Sequence, residues 1–204
     1  MTATDPTGQG PAQDPVHGAA HDPAPVTARV PDQNPGHDPA PAPVAQADLD
    51  VLRDQLGRLP RGVVGIAARC VCGRPTVVRT APRLPDGSPF PTTYYLTHPA
   101  AVKGCSTLEA EHLMDELTAR LAADHDLAAA YRAAHEDYLA RRSELGSPPE
   151  IEGVSAGGMP TRVKCLHALV GHALAAGPGT NPVGDLTIGI LTERGLWDPE
   201  RCSC

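Results

Sequence analysis

The chain is poor in aromatic residues and has no long apolar run. Its 204 residues include one Trp, one Phe and four Tyr, so a hydrophobic core has to be built mainly from Val, Leu, Ile and Ala. No stretch approaches the roughly 20 apolar residues of a membrane-spanning helix. The N-terminus also lacks the basic start and apolar stretch of a secretory signal. These absences predict a soluble, cytoplasmic protein without a membrane partner.

The first 46 residues lack Leu, Ile, Phe, Tyr and Trp altogether and hold ten of the 23 prolines. Such a segment buries too little apolar surface to offset the entropy lost on ordering, so residues 1–46 are predicted to be a disordered leader. Residues 47–195 are long enough to form one domain with its own core. Residues 196–204, which include Cys202 and Cys204, are predicted to be a flexible tail.

Basic residues are few. The 17 Lys and Arg against 24 Asp and Glu give a net charge of −7. A mildly acidic chain without a long basic run has no electrostatic footprint for nucleic acid, so a nucleic-acid partner is not expected. In a reducing compartment the six cysteines are expected as thiols or metal ligands rather than as structural disulfides.

The pattern of apolar and turn-forming residues predicts an α+β fold, with a small antiparallel sheet of about three strands and three to five helices. Short apolar or β-branched runs between Gly and Pro predict strands at 62–69, 76–80 and 92–97. Helical spacing and helix-stop residues predict helices over 47–59, 106–123, 126–144, 160–176 and 185–194. Ser106 and Glu109 match a capping box, which predicts that the second helix begins at Ser106.

The cysteines and histidines do not show the two close, regularly spaced pairs of a zinc ribbon. Cys165 and His172 are seven residues apart, so they share one flank of the predicted helix 160–176, whereas His167 points to the other flank. With Cys70 and His98 from the sheet, they would form a mixed sulfur and nitrogen site for zinc or iron, with His167 as the substitute ligand. Alternatively, Cys165 is a buried apolar residue and His172 a hydrogen-bonded core histidine.

A second pattern lies at the start of the same predicted helix. Gly157 and Gly158 lead to its N-terminus, where free amides and the helix dipole favour an anion, and Arg162 and Lys164 add two positive charges. This pattern predicts a site for a phosphate-bearing ligand or a protein partner in a regulatory module. A flexible loop followed by a solvated basic turn is the plainer interpretation.

Cys165, together with His167 or His172, also has the residue types needed for nucleophilic catalysis. Sequence does not fix the geometry between a thiol and an imidazole. Whether the protein is an enzyme therefore stays open at this point.

Several longer stretches carry a family resemblance over about residues 47–190. They include Pro89-Phe90-Pro91-Thr92, Tyr95-Leu96-Thr97-His98-Pro99, and the run from Gly158-Met159-Pro160 to Cys165-Leu166-His167. Together they resemble the bacterial family catalogued as domain of unknown function 501, which has no established activity. The resemblance implies that cysteine often replaces histidine at the position of His98, an exchange that a metal ligand tolerates. It thereby favours Cys70, His98 and Cys165 as ligands over Cys72, Cys105 and the two cysteines of the tail.

Overall fold

The computed structural model describes residues 44–204, so the predicted disordered leader lies almost entirely outside the described residues. Within this range three strands and six α-helices confirm the predicted α+β class. No helix in the range is long and apolar enough to cross a membrane. The elements are α1 (Gln46–Leu56), β1 (Val63–Arg69), β2 (Pro75–Thr80), β3 (Tyr94–Leu96), α2 (Pro99–Ala110), α3 (Leu113–Ala123), α4 (His125–Ser143), α5 (Leu166–Ala176) and α6 (Pro182–Glu193), with a 3-10 turn at Pro149–Ile151.

The predicted hairpin forms the first two strands of an antiparallel sheet in the order β1-β2-β3. Val63 pairs with Thr80 at one end of the hairpin and Arg69 pairs with Pro75 at the other. On the opposite edge of β2, Val77 pairs with Leu96 of β3. As the central strand, β2 is buried at every residue.

Helix α5 lies at the centre of the core and is buried along most of its length. It approaches β3 at Gly171, where an added Cβ would lie 3.3 Å from the carbonyl oxygen of Tyr94. It approaches α6 at Gly184, where an added Cβ would overlap the carbonyl oxygen of Leu169. The close packing of α5 therefore depends on glycine at these two contacts.

The predicted helix 106–123 is two helices, α2 and α3, separated by His112 in the left-handed region at φ 66. Helix α2 begins at Pro99, and the side chain of His98 accepts the N–H of Ala101 as its N-cap. The capping-box prediction at Ser106 is therefore wrong, because Ser106 lies inside α2. Proline suits the first turn of α2, because the N–H groups of that turn have no acceptor within the helix and proline therefore costs no hydrogen bond.

Helix α5 begins at Leu166, six residues later than predicted. Before it, the N–H of Lys164 donates to the carbonyl of Gly157 at 2.7 Å and closes a wide turn. The N–H of Leu166 donates at 2.7 Å to the carboxylate of Glu109, which lies on α2. Glu109 thus caps the start of α5 rather than that of its own helix.

The end of the chain is anchored to the domain at Trp197, which is 5% exposed. Its ring packs against that of His98, with the ring centroids 5.6 Å apart. The residues that follow carry no helix or strand, and Cys202 and Cys204 are exposed. The predicted flexible tail is therefore fixed at one point and brought beside the start of α2.

Candidate metal centre and cleft

Four cysteine side chains meet where the β1–β2 turn contacts the end of the chain. The sulfur atoms of Cys70, Cys72, Cys202 and Cys204, here called the four-thiol group, all lie within 4.8 Å of one another. Cys70 is buried and the other three are exposed. The sulfurs of Cys72 and Cys204 lie 3.5 Å apart, across 132 residues of sequence.

The hairpin turn brings its two thiols together through backbone hydrogen bonds. The N–H of Cys70 donates to the carbonyl of Arg74 at 2.8 Å, and the N–H of Gly73 donates to the carbonyl of Cys70 at 2.7 Å. Gly73 has a φ of 88, in the left-handed region that residues with a Cβ rarely adopt. The order Cys70-Val71-Cys72-Gly73 therefore encodes a tight turn that presents two sulfurs side by side.

One thiol of the group ionises near neutral pH. Hydrogen bonds from the backbone at Arg74 and from the Cys204 thiol lower the pKa of Cys72 to about 7. The pKa of Cys204, in contrast, is raised by burial and by the hydrogen bond with Cys72. Within this pair, Cys72 therefore loses its proton at a lower pH than Cys204 does.

His98 lies at the edge of the four-thiol group. Its Nδ1 accepts the N–H of Ala101 at 3.5 Å, and its Nε2 lies 3.3 Å from the sulfur of Cys204. Burial lowers the pKa of His98, so the ring is neutral, and accepting at Nδ1 leaves the proton on Nε2. The Nε2–H of His98 therefore points to the sulfur of Cys204.

His172, another predicted metal ligand, lies in a hydrogen-bonded core network. Its Nε2 lies 2.9 Å from Oδ1 of Asp137, and its Nδ1 lies 3.1 Å from the amide nitrogen of Asn181. The ring is fully buried and stacks on Tyr94, with the centroids 5.5 Å apart. Because both ring nitrogens have partners, the structure matches the core-histidine alternative.

A cleft of about 800 Å³ lies between loop 153–164, β3 and the start of α5. The predicted anion-binding residues Gly157, Gly158, Arg162 and Lys164 all line it. Gly158 has a φ of 93, and an added Cβ would lie 2.6 Å from the carbonyl oxygen of Arg162, so this turn requires glycine. The helix N-terminus expected at this loop lies instead at Leu166, where Glu109 accepts the first amide.

The same cleft is lined by Cys165 and His167. The sulfur of Cys165 lies 3.9 Å from Nδ1 of His167, which in turn lies 3.0 Å from Oε1 of Glu109. The other ring nitrogen of His167, Nε2, lies 3.1 Å from the carbonyl oxygen of Val102. The hydrogen bond with Cys165, followed by the charge of Glu109, outweighs burial and raises the pKa of His167 to about 9.

The structure does not bring the four predicted metal ligands to one place. Cys70 belongs to the four-thiol group, and His98 reaches that group through Cys204. Cys165 pairs with His167 at the cleft, and His172 is in the core. The helical alignment of Cys165 with His172 does not apply, because α5 begins one residue after Cys165.

Sequence reasoning missed the contribution of Cys202 and Cys204, which it placed in the tail. Two signals pointed to them. The Cys-x-Cys spacing of Cys70 and Cys72 recurs at Cys202 and Cys204, and Trp197, the sole tryptophan, stands shortly before the second pair. A large aromatic side chain near a chain end is a natural anchor.

The comparisons with known proteins place the chain in a family. A family model described as protein of unknown function (DUF501) matches residues 66–189, more than half of the chain. The matched range contains Cys70, Cys72 and His98 as well as loop 153–164 and Cys165 of the cleft, and it ends before Cys202. Searches of curated proteins and of solved structures found no match. The chain therefore belongs to the DUF501 family, whose function is unknown.

Proposed function

We propose that this protein binds one zinc or iron ion through Cys70, Cys72, Cys202 and Cys204. The observation that carries the proposal is the convergence of four sulfur atoms within 4.8 Å from two distant parts of the chain. Thiolate sulfur is a ligand that zinc and iron both favour. The ion would tie the β1–β2 turn to the end of the chain.

The spacing of the sulfurs is consistent with a tetrahedral ion. Zinc–sulfur bonds of about 2.3 Å imply sulfur–sulfur separations of about 3.8 Å in a tetrahedron. The 3.5 Å between Cys72 and Cys204 and the 4.8 Å upper limit for the group bracket that value. Four sulfurs would fill all four positions, which is typical of a structural site rather than of a catalytic site with an open position.

The electrostatics of the group also support a bound cation. With the pKa of Cys72 lowered to about 7, this thiol is already partly ionised at neutral pH before any ion arrives. A divalent ion would displace the proton that Cys204 holds, because metal binding to thiols releases protons. The Nε2–H of His98 would then donate to the Cys204 thiolate and fix its orientation.

Elemental analysis of tag-free protein, purified anaerobically without chelator, tests this function. We expect about one zinc or iron ion per chain, as for other structural thiolate sites. The rival outcome is a disulfide between Cys72 and Cys204, which the intact mass of the protein would reveal as the loss of two hydrogens. Metal-free protein with all thiols reduced would also contradict the proposal.

A second function is favoured by the cleft, which we propose to bind a phosphate-bearing ligand. Arg162 and Lys164 both line it, and among residues 44–204 neither side chain has a hydrogen-bond or ion-pair partner. Two cations without partners beside a concave surface favour an anion. The glycine turn supports the site by shaping the loop that carries both cations.

Thermal unfolding in the presence of inorganic phosphate and of polyphosphate tests the cleft. Stabilisation is expected for the parent protein and should be lost in Arg162→Ala. Arg132→Ala is the matched control, since Arg132 is an exposed cation of α4 that does not line the cleft. No stabilisation of the parent protein, or equal stabilisation of both variants, would remove the basis for this function.

A further inference from the structure

The geometry points to Cys165 as a nucleophilic thiolate that accepts the acyl group of an anionic ester or thioester bound in the cleft. His167 is its proton donor and acceptor, and Glu109 is the positioning residue that orients the imidazole. The reactivity of Cys165 is independent of the four-thiol group. The anionic character of the substrate rests on the phosphate-binding cleft proposed above.

The hydrogen bonds of His167 specify a charged imidazolium. Its Nδ1 faces the Glu109 carboxylate at 3.0 Å, and its Nε2 faces the Val102 carbonyl at 3.1 Å. A carboxylate and a carbonyl only accept hydrogen bonds, so both ring nitrogens carry a proton in the resting protein. The hydroxyl of Ser106 lies 3.3 Å from Nε2 and can donate or accept as needed.

The imidazolium places a positive charge beside the sulfur of Cys165, 3.9 Å from Nδ1. A neighbouring cation favours the thiolate form of a cysteine, which is the nucleophile. Cys165 is also the residue immediately before α5, where the helix dipole favours a negative charge. The Nδ1–H of His167 therefore lies between the Cys165 sulfur and the Glu109 carboxylate. The Val102 carbonyl holds the Nε2–H, so His167 can pass on its Nδ1 proton while the ring stays in place.

The position of Cys165 makes this thiolate accessible. The residue is half-buried and lines the cleft, so a bound molecule can reach the sulfur. Cys105, on α2, offers the contrast within the same chain. It is fully buried, and burial, with the nearby charges of Glu109 and Cys165, raises its pKa to about 12. Cys105 is therefore an internal reference for an unreactive thiol.

The cleft lining indicates which acyl compounds fit. Leu96, Val102, Met159 and Ala168 give it apolar walls, and Arg162 and Lys164 give it positive charge. An acyl group with an apolar portion and a phosphate or carboxylate matches both features. The charged side chain that contacts His167 is Glu109 on α2, and the two cations lie on the loop that lines the same cleft.

The proposed reaction is hydrolysis of the ester or thioester through an S-acyl cysteine, with water as the second reactant. The Cys165 sulfur attacks the acyl carbon, a carbon–sulfur bond forms, and the bond to the leaving oxygen or sulfur breaks. His167 gives its proton to the leaving group. Water then attacks the S-acyl cysteine, neutral His167 takes a proton from it, and the carboxylic acid leaves as the Cys165 thiolate is restored.

Alkylation by iodoacetamide, followed site by site with peptide mass spectrometry across a range of pH, tests the reactivity. We expect Cys165 of the folded parent protein to react faster at pH 6 than the same residue of the urea-unfolded protein, and Cys105 to stay unmodified. In His167→Asn, whose fold is checked by circular dichroism, the rate at Cys165 at pH 6 should fall at least about tenfold. If Cys165 of the folded parent protein reacts no faster than in the unfolded protein, the proposal is overturned whether or not the variant folds.

Acyl transfer from p-nitrophenyl phosphonoacetate, an activated ester with an anionic acyl group, tests the chemistry. We expect the acyl group on Cys165 and competition by inorganic phosphate in the parent protein but not in Arg162→Ala. Alkylation without acyl transfer would overturn the reaction. Acyl transfer that phosphate does not affect would overturn the anionic substrate and the phosphate site, and would leave the nucleophile standing.

Discussion

His172 donates its Nε2–H to Oδ1 of Asp137 across 2.9 Å inside the domain. The ring proton lies on Nε2 because the other ring nitrogen, Nδ1, accepts a hydrogen bond from the side-chain amide of Asn181 at 3.1 Å. Asp137 also accepts from Nε of Arg141 at 2.8 Å. This network joins α4 to α5 and to the cap of α6, so it fastens three helices with polar contacts in the core.

The network makes the stability of the domain sensitive to acid. Burial raises the pKa of Asp137, but the hydrogen bonds from His172 and Arg141 outweigh it, and the net pKa is lowered. A carboxyl whose pKa is lower in the folded protein than in the unfolded chain stabilises the fold. Its contribution is complete above the unfolded pKa of about 3.9 and is lost as pH falls through the folded pKa. We expect Asp137→Asn to lower the free energy of unfolding by about 1–2 kcal/mol at neutral pH.

Urea unfolding from pH 3 to neutral pH checks this prediction. The parent protein should lose stability more steeply below about pH 4 than Asp137→Asn does. Glu136→Gln is the matched control, because Glu136 is an exposed carboxylate of the same helix. Equal acid sensitivity in the parent protein and in Asp137→Asn would show that Asp137 contributes nothing to it.

Alanine substitution at two glycines of α6 is expected to have opposite effects on the free energy of unfolding. Alanine at Gly184 would overlap the Leu169 carbonyl and lie 2.7 Å from the Cβ of Ala173, so we expect a loss of about 1–3 kcal/mol. Alanine at Gly189 meets nothing within 4 Å. It should therefore stabilise by about 0.5–1 kcal/mol through helix propensity. Thermal unfolding of both variants measures the difference, and a stable Gly184→Ala would refute the close α5–α6 approach.

The pKa of His167 reports on its two neighbours. It is raised to about 9, first by the hydrogen bond with Cys165 and then by the charge of Glu109. We expect Glu109→Gln to lower it and Cys165→Ala to lower it further, as measured by NMR titration of the ring. Because the pKa of His167 is higher in the folded protein than in the unfolded chain, the charged ring stabilises the fold. This contribution is complete below about pH 6.5 and is lost as pH rises through about 9. A His167 pKa that neither substitution changes would contradict the hydrogen-bonding scheme.

Trp197 provides an optical report on the four-thiol group, since it is the sole tryptophan and packs against His98. Removing a bound ion with a chelator should loosen the end of the chain, and tryptophan emission should shift to longer wavelength as the ring meets water. Cys204→Ser should show the shifted emission before chelator is added and no further change after it. Emission that chelator leaves unchanged in the metal-loaded parent protein would mean that no ion holds this segment.

Local sequence patterns predicted the sheet but misplaced two helix starts, and the physical reason is the range of the interactions. The β1–β2 hairpin depends on neighbouring residues such as Gly73, which the sequence displays directly. Glu109 satisfied a local capping pattern with Ser106, yet it accepts the amide of Leu166, 57 residues away. No local rule distinguishes a cap for its own helix from a cap for another.

The sequence likewise pointed to only some of the residues that meet at the four-thiol group. Cys70 and His98 were chosen from their residue types and from the family resemblance. Cys70 belongs to the four-thiol group and His98 contacts it through Cys204, whereas Cys72 was ranked below them. Cys165 was aligned with His172 because the start of α5 was placed too early. Cys204 was missed because its contact with Cys72 spans 132 residues and requires the Trp197 anchor, which only the folded chain reveals.

X-ray absorption spectroscopy at the metal edge of the loaded protein counts the ligand atoms of the bound ion and measures their distances. We expect four sulfur atoms at about 2.3 Å from a zinc ion. Replacing Cys204 with Ser should reduce the sulfur count, and replacing Cys165 with Ser, outside the four-thiol group, should leave it unchanged. A shell that includes nitrogen at about 2.0–2.1 Å and changes in Cys165→Ser would rule out the four-thiol site and favour the mixed Cys and His ligands.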